Sequence, residues 1–169
     1  MIILGIDPGS RVLGFGVIAV HNSQLKAVDF GILKFNGEVA LAERLLTIGQ
    51  GVQELFLKFK PDHLSLEKIF LGNNADSAFK LGHARGVIIY EALKAKAEVF
   101  EYATRVVKKG ITGNGGAEKE HVRVVIRNLL GLATLQSLDA SDALAMACFH
   151  ASQLRIMKLK KNSEKGASL

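Results

Sequence analysis

Four acids in this 169-residue sequence sit where acids are unexpected. Asp7 ends the apolar run MIILGI, Glu67 interrupts the apolar run HLSLEKIF, and Asp139 and Asp142 open the apolar stretch LDASDALAMACFHASQL. A buried carboxylate without a partner either costs several kcal/mol or shifts its pKa until it is neutral, so an acid closing a buried strand needs a counter-charge, and a cation can supply it. Asp139 and Asp142, three apart, project on adjacent parts of one helical face. Either alone has an ordinary explanation, since acids near a helix N-terminus gain about 0.3–1 kcal/mol from the dipole. Taken together, four convergent carboxylates suit Mg²⁺, which prefers hard oxygen ligands in octahedral geometry. They match the chemistry of two-metal phosphodiester hydrolysis, in which ions about 3.5–4 Å apart acidify the attacking water and neutralise the leaving oxygen.

Such convergence needs a scaffold. MIILGI, LGFGVIAV (13–20) and VDFGILKF (28–35) read as three strands in succession, the last two joined through His21-Asn22-Ser23-Gln24 as a hairpin. Apolar residues from Leu41 to Phe59 recur at helical spacing, and that helix stops before Pro61. HLSLEKIF (63–70) is a fourth strand; Asn74 or Asp76 caps a helix running to about Lys96, with Ala78, Gly82 and Gly86 on one face. Two glycines in a helix cost about 1 kcal/mol each relative to alanine, which points to close packing within the domain or against a second copy of it. A fifth strand spans 98–103, then a basic stretch follows in which Gly110, Gly113, Gly115 and Gly116 mark a mobile loop between helical pieces, and the last helix begins near Leu138. In an α/β domain with the first strand beside the fourth, the four acids converge at one end of the sheet.

Composition narrows the partner. With 49% hydrophobic and 22% charged residues the chain supports one domain with a sizeable core, residues 1–155, followed by a polar, flexible tail at 156–169. The net charge of +6 is concentrated late: residues 1–60 carry six basic and five acidic groups, the remainder 16 and 11. This balance suits a polyanion such as nucleic acid, with a solvated surface as the plain alternative. Cys148, the single cysteine, lies in ALAMACFH and reads as a small buried hydrophobe. The five histidines, at 21, 63, 83, 121 and 150, have no zinc spacing, and GITGNGG lacks the lysine and hydroxyl of a P-loop, so neither a structural zinc nor a nucleotide cofactor is expected. His83 and His121 are at most accessory. No run approaches the ~20 apolar residues of a membrane span, and the start lacks a signal-peptide pattern, so a cytoplasmic protein is expected.

The motifs GIDPGS with GFG, LSLEKIF with NNADSAFKLGHARG, FEYATRVVKKGITGNGGAEKEHV, and DASDALA resemble, in order and spacing, those of the RuvC family of Holliday-junction resolvases, over residues 2 to about 150. The resemblance implies a ribonuclease-H-like α/β fold: a five-stranded mixed sheet, its first three strands antiparallel, with helices on both faces. It implies that Asp7, Glu67, Asp139 and Asp142 are catalytic, metal-binding acids for Mg²⁺, two ions per site, with Mn²⁺ able to substitute. It implies a homodimer that makes paired symmetric nicks in four-way junction DNA, leaving 5′-phosphate and 3′-hydroxyl ends, with the RuvA and RuvB branch-migration complex as partners. Phe70 matches an aromatic that stacks on an unpaired base, a contact worth about 1–3 kcal/mol, where the residues alone suggest a core ring. Lys108 and Lys119 match lysines near the scissile phosphate that offset charge developing there. Arg11, Lys80, Lys109, Arg123 and Arg127 are further candidate phosphate contacts, as is Arg85, which equally suits a dimer contact.

Other readings share these features. The opening strand, Asp and Gly also describe the first phosphate loop of actin-like ATPases and sugar kinases, although those need two such domains around the nucleotide. A non-catalytic junction-binding module fits the basic surface but not four retained acids. A same-fold nuclease acting on another branched or RNA-containing substrate fits the acids equally well, because carboxylates encode hydrolysis and not substrate shape.

Overall fold

The computed structural model describes residues 1–68 and 75–166, with side chains to residue 159. In chain order the elements are β1 (Ile2–Asp7), β2 (Val12–His21), β3 (Gln24–Lys34), α1 (Leu41–Phe59), β4 (His63–Glu67), α2 (Ala75–Lys94), β5 (Glu98–Tyr102), α3 (Thr104–Thr112), α4 (Lys119–Leu129) and α5 (Leu138–Gly166). The strands form one mixed sheet in the order β3-β2-β1-β4-β5. β1, β2 and β3 pair antiparallel, while β4 runs parallel to both β1 and β5. This is the five-stranded architecture expected from the sequence, with β1 beside β4.

Each strand feeds two apolar layers because successive side chains point to opposite faces. Leu4, Ile6, Leu64 and Leu66 pack with Ile48, Val52, Ala84 and Ile88 of α1 and α2. On the other face Ile3 and Ile18 pack with α4 and α5 through Val122, Ile126 and Leu144. Helix α5 lies almost on the sheet backbone: a Cβ on Gly5 would fall 2.0 Å from Ala143 O, and one on Gly14 2.1 Å from Asp139 O. Close approach there brings the α5 acids down to the level of β1.

Several boundaries differ from expectation for identifiable reasons. Strand β3 starts at Gln24, well before Val28, because Asn22 and Ser23 both take positive φ (47° and 65°) in a two-residue turn that keeps His21 paired with Gln24. Gly110 lies inside α3 and not in a loop; a Cβ there would meet the Phe149 ring at 2.4 Å, so this glycine serves helix packing. Helix α5 continues to Gly166, through the segment expected to leave the domain as a tail, since nothing in KLKKNSEK breaks a helix. Among its described side chains, the last against the core is Leu154. Phe70 and Asn74 lie outside the described residues.

Candidate functional site

Strand register brings the first two acids together. β1 and β4 run in parallel with Gly5 opposite Ser65 and Ile6 opposite Leu66, so Asp7 and Glu67 close the two strands side by side. Both point to the face that α5 covers, one position on from the inward-facing Ile6 and Leu66. On its other edge Asp7 pairs with Gly14, over which the Asp139 backbone rests. One helical turn from there, Asp142 meets Asp7 and Glu67 in a cavity of about 100 Å³ whose polar wall is completed by Thr104, Lys108 and Lys119. Asp139 stands at the rim, joined to the others through Lys119, whose Nζ is 2.7 Å from Asp142 Oδ2 and 3.7 Å from Asp139 Oδ1. Among the described residues, no three His, Cys, Asp or Glu side chains stand close enough together to hold a metal ion as they are.

The cavity is short of positive charge. Burial, then the charges of Glu67 and Asp142, push the Asp7 carboxyl up to about 8; Lys119 acts in the opposite direction and Asp139 adds to the rise. Burial pulls the Lys119 ammonium down, but its hydrogen bond to Asp142 and the charges of Asp142, Asp7 and Asp139 outweigh this and hold it above its ordinary value. With three neighbouring carboxyls raising it and Lys119 the one cation acting against them, Asp7 tends to neutrality near pH 7. Hard oxygen donors that lack a counter-charge are the donor set a divalent cation such as Mg²⁺ completes, so the residues fit the metal that their types suggest.

Helix starts bring in the remaining groups. Lys119 opens α4, which Val122 and Ile126 seat in the α5 layer. Lys108, one turn into α3, donates to Ala117 O at 2.6 Å and so ties α3 to the connection that precedes α4. One contributor, Thr104, escaped the sequence reading, and a second, Arg85, was expected there only as a phosphate or dimer contact. Thr104, the first residue of α3, donates its hydroxyl to Glu67 Oε1. Arg85 donates from Nε to the Glu67 carbonyl at 3.0 Å and pairs with Glu101, holding the end of β4 from behind. The signal for Thr104 was the β4–β5 register, with Glu67 opposite Tyr102, which no local pattern reveals.

The other basic candidates lie apart. None of Arg11, Lys80, Lys109, Arg123 and Arg127 lines the cavity. Arg11 rests on Gly37, and Lys80 pairs with Asp76 at 2.5 Å along α2. Arg123 donates to the Leu135 and Gln136 carbonyls at 3.1 and 3.2 Å and pairs with Glu120, fastening α4 to the loop before α5. Lys109 and Arg127 are exposed.

Comparison with known proteins follows the same lines. The family model described as "Crossover junction endodeoxyribonuclease RuvC" matches residues 3–150. A RuvC of Bdellovibrio bacteriovorus is 52% identical over 169 residues, covering 100% of this chain and 99% of its own. The Thermus thermophilus RuvC structure superposes with a TM-score of 0.83 at 32% identity, covering 92% of this chain and 96% of that one. T. thermophilus RuvC in complex with Holliday junction substrate gives the same TM-score and coverage at 30% identity.

Proposed function

The chain belongs to the RuvC family of crossover junction endodeoxyribonucleases, and from that premise we propose that it resolves four-way DNA junctions at the acid cavity, with Asp7, Glu67, Asp139 and Asp142 as metal ligands. The single observation that carries the assignment is the convergence of Asp7, Glu67 and Asp142 in one cavity where the Asp7 carboxyl is raised to about 8. The family's chemistry is metal-dependent hydrolysis, and the occupancy of this reading is two Mg²⁺ per site, with Mn²⁺ as a substitute. When bound, such ions acidify the attacking water and neutralise the leaving oxygen. Asp7 and Glu67 present adjacent oxygens from the sheet, and Asp142 and Asp139 present theirs from α5. Lys119 and Lys108 flank the position of the scissile phosphate and offset charge developing on it, leaving 5′-phosphate and 3′-hydroxyl ends.

Paired nicks require two such sites, and the homodimer of this reading forms through α2. Among the described residues, nothing lies within 4 Å of where a Cβ on position 82 or 86 would sit, so these residues give the two glycines no packing partner inside the domain. Phe79 and Tyr90 on the same helix are 69% and 63% exposed, beside an apolar groove of about 590 Å³ that Leu45 of α1 also lines. A second copy seated there explains all four residues. Residues 1–155 act as one nuclease domain, with 156–169 outside it, a reading supported by Leu154 being the last of the described side chains packed against the core. Delivery of the junction by RuvA and RuvB, and action in the cytoplasm, rest on family membership; among the described residues no helix is long and apolar enough to cross a membrane.

The test compares a synthetic four-way junction, linear duplex and an RNA–DNA hybrid, each with Mg²⁺ and with chelator. Paired nicks confined to the junction and to Mg²⁺ are expected. Cleavage of the hybrid instead would favour a same-fold nuclease of different substrate, and binding without cleavage a non-catalytic module. Junction affinity should fall steeply with salt, as phosphate neutralisation releases counterions.

A further inference from the structure

Among the described residues, Thr104 supplies the only hydroxyl to the wall of the acid cavity, and it is the only partner the Glu67 carboxylate has. We propose that Thr104 is a positioning residue, which orients Glu67 toward the cation; the inference rests on the assignment of Glu67 as a ligand.

Backbone structure places the hydroxyl. Glu67 is opposite Tyr102 in the β4–β5 register, and the pairing extends one step further as Lys68 N donates to Tyr102 O at 2.8 Å. Ala103 then takes an extended conformation as the cap of α3, and Thr104 follows as the first helical residue, directly beside the end of β4. The Ala103 cap makes no side-chain hydrogen bond to the helix, and the Thr104 hydroxyl is directed at Glu67. A β-branched side chain has few χ1 rotamers, so the donor is ordered before any ion arrives.

The chemistry suits the role. Asp142 is held by an ammonium, which neutralises it as well as orienting it. Glu67 is held by a neutral donor, which fixes Oε1 yet leaves the full negative charge available to a cation. A glutamate has three side-chain torsions, and a ligand that must be immobilised on binding loses affinity for that reason. Hydrogen bonds to ligating carboxylates typically contribute 10–100-fold in metal affinity.

Manganese titration of the DNA-free protein, followed by electron paramagnetic resonance, tests this without relying on turnover. Thr104→Val, close to threonine in shape, should weaken Mn²⁺ binding by about tenfold with an unchanged melting temperature in chelator, and Thr104→Ser should restore it. Thr104→Ser against Thr104→Ala isolates the hydroxyl even if the valine variant does not fold. Under single turnover with saturating junction, the loss should be recovered by raising Mn²⁺. Affinities of the serine and alanine variants within twofold of each other, with Glu67→Gln strongly impaired, would overturn the role of Thr104 and leave the site intact. If Glu67→Gln itself binds Mn²⁺ as the parent does, Glu67 is no ligand and the site assignment fails first.

Discussion

Two polar clusters lie under the same helix, at opposite ends of β4, and they differ in whether they are complete. His63, Ser65 and Glu67 alternate along one face of β4 and meet α5 at three successive levels: His63 at His150, Ser65 at the Met146 carbonyl, and Glu67 in the cavity it shares with Asp142. Four residues of helix rise about 6 Å and two of strand about 6.6 Å, so an antiparallel helix and strand stay in step over this distance. At the far end His150 is fully buried, with Nε2 2.9 Å from His63 Nδ1 and Nδ1 2.7 Å from the Tyr102 hydroxyl. The neutral tautomer carrying its hydrogen on Nε2 satisfies both contacts, and burial together with His63 pushes its pKa down to about 4. That cluster needs nothing from outside. In the acid cluster Lys119 pairs with Asp142 and Asp139, while Asp7, beside Glu67 and Asp142 in the cavity, is pushed up to about 8. A buried polar group that the fold satisfies is structure, whereas one it leaves unbalanced marks where a ligand supplies the remainder.

The contrast can be broken most sharply at Asp7. Asp7→Asn should lower junction cleavage in Mg²⁺ by at least about 1,000-fold, equivalent to about 4 kcal/mol of transition-state stabilisation. Junction binding measured by gel shift in chelator should persist. The same variant should unfold at higher urea in chelator at pH 8, by about 1–3 kcal/mol, because it removes an unfavourable buried charge. Cleavage at the parent rate would remove Asp7 from the site.

At the complete cluster the signs reverse. His150→Phe leaves the Tyr102 hydroxyl and His63 Nδ1 without their buried partner, and should cost about 2–4 kcal/mol in urea unfolding while the folded fraction binds Mn²⁺ as before. A matching loss of Mn²⁺ affinity would show that the two ends of β4 are one unit.

The pH dependence separates the clusters in a single protein. Asp7 has a folded pKa above its ordinary value of 3.8, so the folded state binds more protons between 3.8 and about 8, and stability falls as pH rises through that window. His150 has a folded pKa of about 4, below its ordinary 6.5, so the unfolded state binds more protons there, and its contribution is lost as pH falls from 6.5 toward 4. Saturating Mg²⁺ should abolish the first limb and leave the second, as read from melting temperatures across the pH range. Persistence of both limbs in Mg²⁺ would separate Asp7 from the metal site. The smallest effect belongs to Ser65, the fully buried rung between the clusters, where Ser65→Ala should cost about 0.5–1.5 kcal/mol and leave both cleavage and the two pH limbs unchanged.

Much of this was readable along the chain. Alternation and helical spacing placed β1, α1, β4, β5 and the start of α5 within a few residues, and each of the four acids betrayed itself by ending or interrupting an apolar run. Gly110 was misread because its purpose is Phe149, which lies 39 residues away in the chain, and glycines that permit a turn look the same in sequence as glycines that permit an approach. That Arg123, a candidate phosphate contact, also donates to the Leu135 and Gln136 carbonyls was not legible, since a guanidinium carries no local mark of what it binds.

The amino-acid sequence alone determined which residues are apolar at which period, and hence the elements, their faces and the anomalous carboxylates, because these follow from nearest-neighbour geometry. Tertiary structure decided which acids share a cavity, that Thr104 answers to Glu67, and that Asp7 is the one driven toward neutrality. Those properties depend on strand register, on the depth at which α5 settles over Gly5 and Gly14, and on how far water is excluded, and each is set by packing between segments far apart in the chain.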